Sequence, residues 1–433
     1  MVDQREALDK AIHDLPDRWE WEWFTDVLDV DGGTQPPASE FVDEPRPGYV
    51  RLVQIRDFES GSHVTYIPDS RKWRKCRTSD VLIARYGASL GRICTGLEGA
   101  YNVALAKVVP TARIHLPFAY YLLRSNYFQG PLLASGGRSA QAGFNKDGLA
   151  VIPLPIPPLP EQRAIAHILG ALDDKIELNR RMNETLDAMA RALFKSWFVD
   201  FDPVRAKAEA RDPGLPQSLA GLFSNSFDGS ELGEIPAGWA AGSVGDFIER
   251  RCERAGDREV VVLSAVANGR LAKSDDHFTK RVYSKETAKY LVVEQWDFAY
   301  NPSRINIGSI GMLEENIQGG VSPVYVVARP NAAYRWFLEF TIRSTNTKAW
   351  INNLASGSVR QSLSYEDFAS IPCVIPPDKV AREFDRKWTS VRERMISIKE
   401  ESKTLATLRD TLLPKLISGE LQVKAIGRAM ETL

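Results

Sequence analysis

The 433-residue chain is poor in cysteine and histidine, and neither residue forms a metal or disulfide pattern. Cys76, Cys94, Cys252 and Cys373 are far apart and include no C-x-x-C pair. We therefore expect buried thiols, not a disulfide framework or a zinc ribbon. The five histidines are scattered and never fall at metal-ligand spacing, so no metal site is predicted.

Long apolar runs and a secretory leader are also missing. No stretch of about 18 consecutive apolar residues exists, so no transmembrane helix is predicted. The N-terminus, MVDQREALDKAIHDLPDRW, carries acidic residues where a signal peptide needs a basic and then an apolar stretch. We expect a cytoplasmic protein without membrane contact. At 433 residues with 44% apolar content, the chain should form two or more domains.

Catalytic and cofactor motifs are absent as well. YGASLGR lacks the G-K-[ST] ending of a P-loop, and no G-x-G-x-x-G follows a strand-like run, so no nucleotide cradle is predicted. NPSR has Ser303 and Arg304 where the N-P-P-aromatic tetrapeptide of adenine methyltransferases has a proline and a ring. PDSRKWRK lacks the Glu-x-Lys of a metal-dependent nuclease. We expect a non-catalytic chain that binds no cofactor of its own.

Charge is unevenly distributed, although the formal net charge is only -1. Residues 1–70 hold 6 Lys/Arg against 16 Asp/Glu, whereas residues 71–150 hold 12 against 3. A basic segment of this kind attracts phosphates by counterion release, although a merely solvated surface is the more common explanation. The candidate DNA-binding residues of this segment are Arg71, Lys72, Arg74, Lys75, Arg85 and Arg92.

The sequence repeats itself at a nearly constant offset of 217 to 221 residues. Landmarks in the same order at one offset indicate a tandem duplication. The matching pairs are LPDRW (15–19) with IPAGW (235–239), Asp80 and Gly91 with Asp297 and Gly308, Arg124-Ser125 with Arg343-Ser344, ASG (134–136) with ASG (355–357), and IPP (156–158) with IPP (375–377).

A proline-rich junction followed by a long 3,4-spaced apolar pattern ends each copy. Prolines force the junctions PLPIPPLP and IPCVIPP into an extended conformation, and Pro160 suits the first helical turn. Gly419 can cap the second helix in the left-handed conformation. The seam positions are Ile165, Leu169, Leu172, Ile176, Asn179, Asn183, Leu186, Ala190, Leu193 and Trp197 in the first copy, and Phe384, Trp388, Val391, Met395, Ile398, Ser402, Leu405, Arg409, Leu412 and Leu416 in the second.

A 3.5-residue period held for over four heptads is typical of a coiled coil. We predict that the two helices pair, with Asn179, Asn183 and Ser402 as polar breaks that fix the register. Packing of each helix on its own domain is the alternative.

The repeat predicts a duplicated α/β (α+β) fold, in which strand-like runs alternate with turns and a helix lies late in each copy. The predicted segments are an N-terminal segment (1–14), a first globular domain (15–158), a first long helix (159–200), a linker (201–232), a second globular domain (233–377), a second long helix (378–420) and a C-terminal tail (421–433).

Each copy also has a Gly/Ser loop with basic and amide residues. Arginine reads guanine, and glutamine or asparagine reads adenine, through paired hydrogen bonds at base edges. Turn chemistry alone explains such loops equally well. The candidate DNA-binding residues here are Arg138, Gln141, Asn145 and Lys146 in the first copy and Arg360 and Gln361 in the second, to which we add Tyr300, Asn301, Arg304 and Asn306 around NPSR.

Two segments resemble the specificity (S) subunits of Type I restriction-modification systems: the stretch from PLPIPPLPEQ through Val204, and TLRDTLLPKLISGEL at 407–421. The resemblance implies two target-recognition domains, each reading half of a split double-stranded DNA site, and two long helices forming an antiparallel coiled coil. It also implies two methyltransferase (M) subunits that carry the S-adenosylmethionine, and possible recruitment of restriction (R) subunits. Glu161, Gln162 and Arg163 would join the seam residues as interface residues.

The second junction departs from this motif, with Asp378 and Lys379 where the stronger motif has Pro-Glu. Contacts made through the motif should therefore be weaker or different on that side. The main alternative is a two-domain DNA-binding scaffold or regulator that has no methyltransferase partner.

Overall fold

The computed structural model describes residues 15–16, 18–59, 63–136, 143–266, 269–277, 286–355 and 362–423. The chain divides into two compact units. The first comprises Met1–Arg180 together with Lys399–Leu433, and the second comprises Arg181–Ile398. Both units therefore contain part of each long helix.

The first unit is built on three sheets. Its four-stranded sheets have the orders β2-β9-β6-β7 and β4-β3-β8-β5, and β1 pairs with β10. Only the β3–β8 pairing is parallel among these strands. The strands are β1 (Glu20–Trp23), β2 (Leu28–Gly32), β3 (Tyr49–Val53), β4 (Thr65–Pro68), β5 (Lys75–Cys76), β6 (Leu82–Ala84), β7 (Ile93–Cys94), β8 (Gly99–Tyr101), β9 (Leu105–Pro110) and β10 (Pro153–Ile156).

α-Helices pack on the β2-β9-β6-β7 sheet, and the residues between them form a hydrophobic core. Phe118 and Leu122 are fully buried there, and the rings of Phe24 and Phe128 stack with centroids 5.8 Å apart. The α-helices up to the first long one are α1 (Phe24–Val27), α2 (Leu116–Arg124), α3 (Asn126–Gly136), α4 (Lys146–Ala150) and α5 (Leu159–Phe198). Short 3-10 helices span Ala38–Glu40, Ile55–Phe58 and Gly87–Ser89.

The second unit contains an eight-stranded sheet of order β14-β21-β18-β19-β16-β15-β20-β17. Two further pairs of strands, β11-β12 and β13-β22, each form a separate two-stranded sheet. Its strands are β11 (Phe227–Ser230), β12 (Gly233–Pro236), β13 (Ala240–Ser243), β14 (Ile248–Arg251), β15 (Val261–Val266), β16 (Arg270–Lys273), β17 (Leu291–Val293), β18 (Phe298–Tyr300), β19 (Ile310–Met312), β20 (Gly319–Val321), β21 (Val326–Pro330) and β22 (Pro372–Ile375). The remaining helices are α6 (Asp202–Ala208), α7 (Gln217–Ala220), α8 (Ser274–His277), α9 (Arg335–Arg343), α10 (Thr345–Leu354), α11 (Tyr365–Ala369) and α12 (Asp378–Ile417), with 3-10 helices at Val244–Phe247 and Ile305–Ile307.

The sheet orders confirm the duplication. The run β14-β21-β18-β19 repeats β2-β9-β6-β7, and β16-β15-β20-β17 repeats β4-β3-β8-β5. In the second unit β16 also pairs with β19, which joins the two halves into one sheet. The repeated tryptophan closes the same turn in both units, since Trp19 N–H donates to the Pro16 carbonyl at 2.8 Å and Trp239 N–H donates to the Pro236 carbonyl at 3.0 Å.

The proline junctions are extended, as predicted, and they are also strands. β10 pairs antiparallel with β1, and β22 pairs antiparallel with β13. A proline is tolerated there because each strand has a single partner, so one edge needs no N–H donor. The helices then begin at Leu159 and Asp378, so Pro160 lies in the first turn, where its missing N–H costs nothing.

The two long helices are 40 residues each, and every predicted seam residue is buried or half-buried. In the first unit, Asn179 at the seam donates to Glu401 Oε2 at 2.9 Å and to Ser402 Oγ at 3.2 Å. In the second unit, the ring centroids of Phe194 and Phe384 lie 5.8 Å apart. Residue numbers rise along one helix as they fall along the other, so the predicted antiparallel pairing is confirmed.

Two expectations need correction. The predicted linker, 201–232, is folded: Val204 and Phe223 are buried in the core of the second unit. Within it, Phe201 turns the chain with a left-handed φ of 56°, and α6 follows with Pro203 in its first turn. Cys252 is exposed, not buried. The Gly419 cap is confirmed by its φ of +74°.

Gln162 of the junction motif is fully buried within the first unit. Its Oε1 accepts from His115 N–H at 2.8 Å, while its Nε2 donates to the carbonyls of Arg113 at 3.0 Å and Pro157 at 2.8 Å. The side chain thus ties the start of α5 to the globular core. It has no surface left for a partner protein.

The structure changes the match at the second junction by one residue from the one that the sequence suggested. Both long helices have 40 residues and begin 219 positions apart, so Asp378 and Lys379 match Leu159 and Pro160. Val380 and Ala381, both buried, therefore occupy the places of Glu161 and Gln162. An apolar contact replaces the hydrogen-bonded one in the second unit.

We predict that Gln162→Leu lowers the stability of the first unit by about 3 kcal/mol, because it leaves three backbone groups at a buried site without their hydrogen-bond partner. The midpoint of chemical unfolding, followed by tryptophan fluorescence, measures this effect. Arg163→Leu, at the next and exposed position, serves as the matched control and should change stability by about 0.5 kcal/mol at most. Equal effects of the two variants would contradict this role for Gln162.

Candidate functional site

The loop after β6 in the first unit places half-buried Arg85 and exposed Tyr86 beside residues 143–145. Phe144 N–H donates to the Arg85 carbonyl at 3.4 Å, and Tyr86 forms an isolated bridge with Gly143. The Arg85 guanidinium lies 5.0 Å from the centroid of the Tyr86 ring, which is 47% exposed. A Cβ at Gly143 would approach the Tyr86 ring to 2.7 Å, so this close contact requires glycine.

The corresponding loop after β18 in the second unit makes the same contact. Leu363 N–H donates to the Pro302 carbonyl at 3.1 Å, as Phe144 does to Arg85 in the first unit. Arg304 and Asn306 are exposed on this loop, and Ile307 is 62% exposed. In each unit a surface loop with a cationic side chain therefore lies against the residues that follow the predicted Gly/Ser loop.

The loop residues Arg138, Gln141, Arg360 and Gln361 lie outside the described residues. Asn145 is exposed, but its Oδ1 accepts from Gly148 N–H at 2.8 Å and caps α4. Ser364 caps α11 in the same way in the second unit.

Tyr300 is not a surface residue and cannot contact DNA from its position. It is fully buried, and its hydroxyl donates to the Ser364 carbonyl at 3.0 Å. Burial raises the pKa of the Tyr300 phenol. All three residues of the short strand β18, FAY, are buried, so no alternation of apolar and polar residues indicates that Tyr300 faces inward. Asn301, next in the chain, is half-buried.

The predicted basic residues Arg71, Lys72, Arg74 and Lys75 are exposed, and they lie around the turn between β4 and β5. Lys75 pairs with Asp69 at 2.5 Å. Among the residues the structure describes, no carboxylate lies within 4 Å of Arg71, Lys72 or Arg74. These three cations are therefore available for phosphate contacts.

Two other predicted cations are engaged within the first unit. Arg92 donates to Glu59 Oε1 at 2.7 Å and to the Phe58 carbonyl at 3.1 Å. Lys146 bonds Asp29 at 2.7 Å, and this hydrogen bond lowers the pKa of the Asp29 carboxyl. Arg92 and Lys146 are thus weaker candidates for DNA contact than the residues of the β4–β5 turn.

The predicted interface residues of the junction motif lie in three different environments. Glu161 accepts from Trp19 Nε1 at 3.3 Å, Gln162 is buried, and Arg163 is exposed. Seam residues of both helices meet in the core of each unit, as Ile165 and Leu416 do in the first and Trp197 and Phe384 in the second.

Sequence reasoning missed Tyr86 and Ile307. Each lies in a glycine-containing loop after a buried strand: Tyr86 is in YGASLGR, which lacks the P-loop ending, and Ile307 is in the loop that begins with NPSR, which lacks the N-P-P-aromatic pattern. An exposed aromatic or aliphatic side chain beside a cation suits contact with a base or with a thymine methyl group.

Metal and membrane features can be assessed for the described ranges only. No group of three or more His, Cys, Asp or Glu side chains there is placed to hold a metal ion. None of the described helices is long and apolar enough to cross a membrane.

Comparison with known proteins points to one family. Residues 16–188 match the family model described as "Type I restriction modification DNA specificity domain". The chain is 28% identical over 375 residues to the type I restriction enzyme HindI specificity subunit of Haemophilus influenzae, covering 72% of this chain and 79% of that protein. It is 22% identical over 454 residues to the MjaIX specificity subunit of Methanocaldococcus jannaschii, covering 98% of both.

Among solved structures, the S subunit of a type I restriction-modification system from M. genitalium has the same fold. The TM-score is 0.59 and the identity 15%, over 92% of this chain and 96% of that one.

We predict that the double variant Arg71→Glu, Lys72→Glu weakens binding to duplex DNA of any sequence, because both residues are exposed cations. A plot of log affinity against log salt should become shallower by about 2, since two phosphate contacts are lost. Fluorescence anisotropy at several salt concentrations measures the slope. The control is Lys399→Glu, Lys403→Glu on α12, and an equal loss of slope there would contradict the assignment.

Proposed function

We propose, from the premise that the chain belongs to the family of type I restriction-modification specificity subunits, that each unit reads one half of a bipartite site in double-stranded DNA. The observation that carries the proposal is the repeated loop pair: Arg85 and Tyr86 lie beside Phe144 and Gly143, and Pro302, on the loop that carries Arg304 and Ile307, lies beside Leu363. The duplication supplies two reading surfaces with one topology. Such a pair suits a split target.

Phosphate and base contacts would have separate roles at each half-site. The exposed cations of the β4–β5 turn in the first unit would set the position on the DNA backbone, which carries no sequence information. The side chains of the repeated loops would contact base edges. An arginine paired with guanine, and an apolar group against a thymine methyl, are the contacts that these side chains can make.

The chemistry would be supplied by other polypeptides. We propose that the chain is non-catalytic and binds no cofactor, and that two methyltransferase subunits bring the S-adenosylmethionine. Restriction subunits would join the same complex, and the complex would act in the cytoplasm. The sequence supports a non-catalytic role because it contains no nucleotide-binding or catalytic motif.

The helices α5 and α12 would set the distance between the half-sites. Both contribute residues to both units, and each is 40 residues long. At 1.5 Å per residue a helix of this length spans about 60 Å, enough to bridge more than one turn of DNA at about 34 Å. The polar contact of Asn179 with Ser402 would hold the two helices in one register.

We predict that Tyr86→Ala and Arg304→Ala each relax one half of the recognised site and leave the other half unchanged. The loss of discrimination should be about tenfold at the affected base pair, which corresponds to one lost base contact. Mapping of methylated adenines in cells that express the chain with its methyltransferase subunit gives the measurement. Each variant controls for the other, and a change in both halves from either variant would refute independent reading.

We predict that lengthening both helices lengthens the spacer between the half-sites. Three heptads inserted after Asn183 and three after Ile398 keep the seam intact and add about 31 Å, close to one DNA turn. The methylated sites should then have spacers about ten base pairs longer. An insertion of the same length after Gly214, in an exposed turn, is the control. A constant spacer in the lengthened variant would exclude the helices as its determinant.

A further inference from the structure

Arg85 is an exception among the half-buried arginines that the structure describes in the first unit. The others each pair with a carboxylate at 3.6 Å or less, and they are Arg51, Arg92, Arg124 and Arg409. Among the described residues, no carboxylate lies within 4 Å of Arg85, and no group accepts a hydrogen bond from its guanidinium. The loop residues 137–142 include no Asp or Glu. Cations withdrawn from water are usually paired, so an acceptor from outside the chain is expected.

Two aromatic rings hold the Arg85 guanidinium in place. Its central carbon lies over the ring of Tyr86, 5.0 Å from the centroid, and over the ring of Phe144, at 5.9 Å. A Cβ at Gly32 would be only 3.1 Å from Arg85 Nη1, so the guanidinium also lies close to the end of β2. Ring faces attract a cation without accepting its N–H groups as a carboxylate does. These contacts therefore fix the guanidinium and leave its donors for a ligand.

The surroundings of Arg85 favour a base edge over a phosphate. A phosphate accepts hydrogen bonds from cations in many orientations, and Arg71, Lys72 and Arg74 of the β4–β5 turn are exposed for that role. Arg85 is half-buried beside aromatic rings, which hold its planar fork in one position. Guanine presents O6 and N7 as neighbouring acceptors in the major groove. A fixed guanidinium can meet both acceptors with two N–H donors.

We propose that Arg85 reads a guanine in the half-site bound by the first unit, and that Tyr86 and Phe144 are positioning residues that hold its guanidinium. The inference rests on the proposed function, since it names one base of the bipartite site. Tyr86 acts through its ring in this scheme. Its hydroxyl has no hydrogen-bond partner among the described residues and is dispensable for the guanine contact.

The second unit lacks a cation at the equivalent position. The hydrogen bond from Phe144 N–H to the Arg85 carbonyl is repeated there by Leu363 N–H and the Pro302 carbonyl, so Pro302 occupies the place of Arg85. Proline has no side-chain donor for a base edge. The guanine contact should therefore belong to one half-site only, and the other half-site serves as an internal control.

The test uses the full chain in complex with its methyltransferase subunit and a duplex that carries the site mapped by adenine methylation. Fluorescence anisotropy measures the affinity for this duplex and for duplexes in which each base pair of the site is replaced in turn. The variants are Arg85→Ala, Tyr86→Leu and Tyr86→Phe. The matched control is Arg74→Ala, which removes an exposed arginine of the same unit. Because Tyr86 is 47% exposed, its two variants test the inference even if Arg85→Ala lowers the thermal midpoint.

We expect the wild type to lose about tenfold or more in affinity when a recognised base pair is replaced. Arg85→Ala should reduce this loss to about twofold or less at one G·C pair, in one half-site only. Tyr86→Leu should weaken the discrimination at the same pair by about threefold, since one cation–π contact is lost, and Tyr86→Phe should match the wild type. Arg74→Ala should lose affinity for all duplexes alike and keep its discrimination.

Two results would overturn the inference while leaving the proposed function intact. One is wild-type discrimination at every G·C pair in both Arg85→Ala and Tyr86→Leu. The other is a uniform loss of affinity in Arg85→Ala, as in Arg74→Ala, which would make Arg85 a phosphate contact. A wild-type complex that recognises no bipartite site would overturn the proposed function, and the inference with it.

Discussion

The packing of both long helices into the core of each unit is the constraint on which the structure depends. The core of the first unit includes Ile165 and Leu169 of α5 together with Leu416 and Ile417 of α12. The core of the second includes Trp197 and Phe384 from the same two helices. Neither globular part can bury its apolar surface with its own copy of the repeat alone. The antiparallel pairing of the helices is therefore part of the folding of each unit.

Gly419 lies at a close contact between the end of α12 and the start of the first globular part. It follows the end of α12 with a φ of +74°, where L side chains are strained, and a Cβ there would come within 2.4 Å of Pro16. The last turn of the second helix thus lies against the start of the first globular part. Leu421 N–H, which donates to the Lys415 carbonyl at 3.0 Å, completes the cap.

The two units differ in local chemistry even at an equivalent buried position. Gln162 joins α5 to its core by three hydrogen bonds, whereas Ala381 at the equivalent position makes an apolar contact. Because helix, strand and core positions are kept at one offset, such exchanges alter local chemistry without altering the fold. The loops that carry Tyr86 and Ile307 differ more in sequence, and these two side chains are 47% and 62% exposed.

The sequence by itself determined the duplication, the lengths of α5 and α12 and their seam, because a 3,4-spaced apolar stripe over 40 residues must be buried and fixes which positions face a partner. It also determined the extended junctions, through the restricted φ of proline. Only the tertiary structure decided that Gln162 faces inward, that Tyr300 is buried, and that the segment 201–232 is folded. Those outcomes depend on contacts between residues distant in sequence, as in the pairing of Gln162 with Arg113 and His115, which no local pattern encodes.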